Sequence, residues 1–117
     1  MAHIDTLIQD IYDEIPFQSE THVSQFLSHY PDDDQAAFIS ALYIGRSHIH
    51  DNSLNHDHQR YLSNYPINRF TETGEPPEFQ FISKDDFASI IFGKKSCLTE
   101  YFGSFLRCVP QNLRDNF

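Results

Sequence analysis

Prolines divide this chain into short pieces. Pro16, Pro31, Pro66 and Pro110 each follow an apolar stretch, and Pro76-Pro77 sits in a polar one. A proline cannot continue a helix, because it lacks the N–H and its ring meets the preceding turn. The fold must therefore be assembled from short elements.

The apolar residues between the prolines recur at helical spacing. Ile4, Leu7, Ile8, Ile11 and Ile15 form one stripe, ended by Pro16. Ser19 can cap a second helix with Val23, Phe26, Leu27 and Tyr30 on one face, stopped by Pro31. Asp32 followed by Gln35 has the capping-box pattern and opens a third helix. That helix, about 33–46, runs through Ala36, Phe38, Ile39, Leu42 and Ile44. It is apolar nearly all round, so we expect it at the centre of the fold.

Asp51 or Ser53 opens a fourth helix bearing Leu54, His58, Tyr61, Leu62 and Tyr65, closed by Pro66. Thr71 to Glu78 reads as a loop, and Phe79–Ile82 as a short extended piece. Ser83 with Asp86 caps a fifth helix carrying Phe87, Ile90 and Ile91, with Gly93 as its C′ residue. Ser96 caps a sixth with Leu98, Tyr101, Phe102, Phe105, Leu106 and Val109, ended by Pro110. The expectation is an all-α compact bundle of five or six short helices. It forms a single domain over residues 1–117, with a loop or arm at about 66–80.

The 117 residues are enough for one core. Eleven Phe and six Tyr, with no Trp, make that core Phe-rich. No apolar run approaches the ~20 residues of a membrane span. The start Met1-Ala2-His3-Ile4-Asp5 lacks a basic then apolar signal pattern, so the expected location is cytoplasmic. Cys97 and Cys108 fall on one expected helix, roughly 16 Å apart at ~1.5 Å per residue. That is too far for a disulfide.

Charge is the strongest functional signal. The net charge is −9, and residues 1–45 hold eight acids and no Lys or Arg. Such a field repels nucleic acid and anionic membranes and attracts a basic protein. The candidate partner-binding residues are Asp10, Asp13, Glu14, Glu20, Tyr30, Asp32, Asp33 and Asp34, with Tyr30 as an aromatic anchor. Asp32–Asp34 also suit a helix N-terminus on dipole grounds. Arg46 is expected to pair with one of these acids.

His48, His50, Asp51, His56 and His58 are candidate metal ligands by residue type. On a helix, however, His56 and His58 point about 200° apart, and no H-x-x-x-H pair occurs. Solvated or capping histidines are the alternative. His50-Asp51 and His56-Asp57 resemble the His-Asp pairs of metal-dependent phosphohydrolases, but no motif fixes further ligands among His22, His29 and Asp86. Catalytic residues and cofactors are not indicated: Gly-rich phosphate loops, nucleophile elbows and C-x-x-C pairs are absent. Lys94 and Lys95 near Cys97 leave a reactive thiol as an alternative to packing.

Ala41-Leu42-Tyr43-Ile44-Gly45-Arg46 resembles the A-L-x-x-G-R segment of an uncharacterised family of small bacterial helical domains. That resemblance implies a bacterial helical protein and no chemistry. In general character the chain is similar to immunity proteins of bacterial toxin systems, which are small, acidic and cytosolic. That likeness implies an inhibitor that neutralises a basic partner such as a toxin nuclease. Two alternatives stay open: a non-catalytic subunit or adaptor of a larger assembly, homodimers included, and a metal-dependent hydrolase built on the histidines.

Overall fold

The computed structural model describes residues 2–54, 67–73 and 82–117. The fold is all-α, and the described residues hold no strand. Helix α1 is Ile4–Glu14, α2 Glu20–Leu27, α3 Asp32–Arg46, α4 Phe87–Gly93, α5 Leu98–Cys108 and α6 Gln111–Arg114. A 3-10 turn, Lys84–Asp86, leads into α4. Of the expected fourth helix, residues 51–54 are described and are not helical, so neither Asp51 nor Ser53 opens a helix at Leu54. The rest of it, and the extended piece up to Phe81, lie outside the described residues. No helix among those described is long and apolar enough to cross a membrane.

The stripes behave as their spacing dictates. Ile4, Leu7, Ile8 and Ile11 bury the inner face of α1. The Ser19 hydroxyl accepts the His22 N–H and starts α2. Phe17, Phe26, Tyr30 and Phe38 then stack in a run of tilted and edge-to-face contacts, with centroids 5.2–5.7 Å apart. Helix α3 is buried from Asp34 through Leu42 and again at Ile44 and Gly45. It packs on α1, α4 and α5. Phe38, Phe102 and Phe105 are among the largest fully buried side chains.

Several helix ends differ from their expected form. Pro31 is the N-cap of α3, and no side chain caps it. The capping box fails because Gln35 faces inward. Its amide donates to the Leu27 and Tyr30 carbonyls at 2.9 and 3.0 Å, satisfying the end of α2 rather than the start of α3. Ser83 accepts from the Asp85 N–H and starts the 3-10 turn, so α4 begins only at Phe87. Gly93 is the last helical residue and has no positive φ, so it is not an αL cap. Cys97, not Ser96, precedes α5. Pro110, expected only as a stop, also opens the short α6.

Gly45 lies near a helix end, as the sequence suggests, but its packing role is larger. A Cβ on it would lie 1.8 Å from the Tyr101 carbonyl oxygen, so α3 and α5 cross at a distance that only glycine permits.

Candidate functional site

Local helix chemistry decides how many of the N-terminal acids stay available to a partner. Asp34 is 3% exposed. Its Oδ1 accepts from Arg69 Nη1 at 2.6 Å and from the Ala2 N–H at 3.2 Å. Arg69 Nη2 in turn donates to the Ala2 and Phe117 carbonyls at 3.0 and 3.1 Å. This buried pair ties the start of α3, the 67–73 segment and both ends of the described chain into one knot. Asp34 therefore drops out of any contact surface, because its carboxylate is spent inside the fold.

Other acids are partly committed. Asp10 Oδ2 accepts the Tyr30 hydroxyl at 2.8 Å. Burial, and then that hydrogen bond, push the Tyr30 phenol above its usual range. The His22 ring lies between the α1–α2 corner and α2. Its Nδ1 accepts the Gln18 N–H at 3.1 Å, which leaves the Nε2–H to donate to Glu14 Oε1 at 2.8 Å. Asp5 faces Arg114 at 3.1 Å, and Asp32 holds Lys84 at 2.6 Å. The expected role of Arg46 thus falls to other cations. Arg46 is exposed, and Arg69, Lys84 and Arg114 neutralise acids of the first third instead. Those three cations are distant in sequence, so no local signal points to them.

What stays on the surface falls in two places. Asp13, Glu14 and Glu20 are exposed around the α1–α2 corner. Asp32 is exposed and Asp33 half-buried at the start of α3, beside exposed Asp85 and Asp86 before α4. Lys84 reaches Asp32 at the start of α3, and Lys94 stands over the Tyr43 ring in its last turns, 5.2 Å from the centroid. Helices α3 and α4 therefore run the same way, with acids at their N-terminal ends and Arg46, Lys94 and Lys95 at their C-terminal ends. That arrangement matches both helix dipoles and accounts for part of the acidic run structurally.

Two open hollows flank Lys84 and Asp85. One, of about 300 Å3, lies between α2 and α4 along Ser24, Leu27, Gln35 and Ala88. The other, of about 410 Å3, lies between α3 and α4 and is walled by Ala36, Phe70, Ile82 and Phe87. Phe70 is 46% exposed, the one large hydrophobic side chain so exposed among the described residues. Segment 67–73 holds it there. The Ser40 hydroxyl donates to the Arg69 carbonyl at 2.7 Å and accepts the Glu72 N–H at 3.2 Å. Sequence reasoning misses Phe70, although an aromatic between polar neighbours, outside any helical stripe, is a signal of exposure.

The histidines are dispersed. His48 is fully buried, and its Nδ1 lies 2.6 Å from the Ile44 carbonyl, to which it donates. His50 is exposed and Asp51 half-buried. The Asp51 carbonyl accepts from Arg107 Nε at 2.8 Å. His56 and His58 lie outside the described residues. Among the described residues no three His, Cys, Asp or Glu side chains are grouped to hold a metal ion. Of the further ligand candidates, His22 bonds Glu14 while His29 and Asp86 are exposed. Both cysteines are free. Burial raises the Cys108 thiol, partly offset by the Arg107 guanidinium. Lys94 and Lys95 lie over the Tyr43 and Phe92 rings.

Compared with protein-family models, curated proteins and solved structures, the chain matches none.

Proposed function

We propose that this chain is a protein-binding module that captures a basic partner, in the manner of an inhibitor or immunity protein. The observation that carries the reading is the charge distribution. The net charge is −9, residues 1–45 hold eight acids and no Lys or Arg, and Asp13, Glu14, Glu20 and Asp32 keep exposed carboxylates. Exposed carboxylates of one sign steer a basic protein toward the surface and speed its encounter. The interface residues are then Asp13, Glu14, Glu20, Asp32 and Asp33. Asp10 and Asp34 act from within on α1 and α3, as does Tyr30 in the turn after α2, through their hydrogen bonds inside the fold.

The test is capture on the immobilised protein at low salt, followed by release with a salt step. The reading expects one basic protein in near-equal amount, freed by salt because exposed charges are screened over ~10 Å at 0.1 M. Retention of acidic or neutral proteins only, insensitive to salt, contradicts it.

A further inference from the structure

Beside the acids at the start of α3 lies an apolar hollow next to Phe70. Ala36 from the first turns of α3, Phe87 from the start of α4, Ile82 and Phe70 line it. Large exposed aromatics beside a concavity act as anchor points in protein interfaces, because an apolar partner group removes both surfaces from water. The charges around it have one dominant sign. Asp32, Asp33, Asp85 and Asp86 stand at the two helix starts with Lys84 as the neighbouring cation, a net of −3. The Lys84–Asp32 bridge is itself exposed, with 53% and 79% of the two side chains open to solvent. An ion pair this open to solvent is weak, so a competing cation displaces Lys84 at little cost.

Resting on the function proposed above, we propose that this hollow seats an apolar side chain from a basic, amphipathic segment of the partner protein. Lys or Arg residues flanking that side chain engage Asp32 and Asp85, and Lys84 marks where the first of these ammonium groups sits. The charge steers the encounter, and the Phe70 hollow supplies the short-range selectivity that charge alone lacks.

The test uses the whole protein and two peptides of equal length and charge, one alternating Lys with Leu and the other Lys with Ser. Each is titrated at low salt and followed by backbone amide NMR. The proposal expects the Lys/Leu peptide to bind about tenfold more tightly, the effect of burying roughly one aliphatic side chain. It also expects that peptide to move the amide signals of Ala36, Phe70 and Phe87. Phe70→Ser, at an exposed position, should keep the thermal midpoint and the Lys/Ser affinity while removing the Lys/Leu advantage. Equal affinities for the two peptides, or an advantage that survives Phe70→Ser, overturn the hollow and leave the acidic surface standing. So do signal changes confined to Asp13, Glu14 and Glu20. Failure of both peptides to bind at low salt overturns the hollow and the acidic reading together.

Discussion

Gly45 and Tyr101 meet backbone to backbone: a Cβ on Gly45 would stand 1.8 Å from the Tyr101 carbonyl oxygen and 3.2 Å from the Phe105 nitrogen. Neither atom belongs to a flexible side chain, so a methyl group forces α3 and α5 apart. Gly45→Ala is expected to destabilise the fold by about 3 kcal/mol, the upper part of the overpacking range. For a domain of this size that is a fall of roughly 10–15 °C in the thermal midpoint. Gly93 is the control, because a methyl group there would meet nothing within 4 Å and its φ is not positive. Gly93→Ala should be neutral or stabilising by up to ~1 kcal/mol. Equal effects of the two substitutions in urea titrations would contradict this packing.

Arg69 and Asp34 form a buried pair, with side chains 3% and 5% exposed. Removing one partner strands the other charge. Arg69→Met should therefore cost about 3–5 kcal/mol, and the Ala2 and Phe117 carbonyls would lose their donor as well. Asp34→Asn keeps an Oδ1 acceptor for Arg69 but strands the buried guanidinium charge, so it too should be destabilising. A loss below ~1 kcal/mol for Arg69→Met, well under the range for a broken buried pair, would show that the knot does not hold the two ends of the described chain.

Tyr30 donates to Asp10, and burial raises its phenol pKa. A group raised in the folded state contributes stability fully below its unfolded value, about pH 10 for tyrosine. That contribution is lost as the pH climbs through the raised folded value. Stability should fall above about pH 10, and Tyr30→Phe should flatten part of the fall, at a cost of ~1 kcal/mol at neutral pH. Tyr12, whose phenol burial also raises, accounts for a further part. An unchanged alkaline slope in Tyr30→Phe would contradict the assignment.

Cys108 is buried and donates to the Asp51 carbonyl at 3.3 Å, whereas Cys97 is half-buried before α5. A thiol raised by burial offers little thiolate. Thiol-specific reagents should modify Cys97 first and reach Cys108 only at the rate of unfolding. The check is mass spectrometry of peptides over time, and simultaneous modification of both would contradict it.

Much of the helical layout is legible in the sequence because its determinants are local. The isoleucine and leucine spacing of α1, the Ser19 hydroxyl and the proline stops act within a few residues of themselves. The helix starts at Asp32 and Leu98 depart from expectation for the opposite reason: Gln35 answers to carbonyls of the preceding helix, and Ser96 lies in a turn. The acids are legible as a charge imbalance but not as a surface. Asp34 is neutralised by Arg69, 35 residues away, and nothing near either residue announces the pairing. Phe70 owes its exposure to Ser40 holding the 67–73 segment, again a long-range contact.

The most direct measurement is the association rate of the captured basic partner with the wild-type protein and with Asp13→Asn/Glu20→Gln/Asp33→Asn, from low salt to about 1 M. None of the three side chains bonds Arg69 or the Asp34 carboxylate, and Asp33→Asn keeps the Oδ1 that accepts the Asp34 N–H at 3.0 Å. The account predicts a several-fold slower association of the variant at low salt, a nearly unchanged dissociation rate, and convergence of the two proteins at about 1 M, where the screening length is ~3 Å. Identical association rates at every salt concentration would contradict a charge-steered interface.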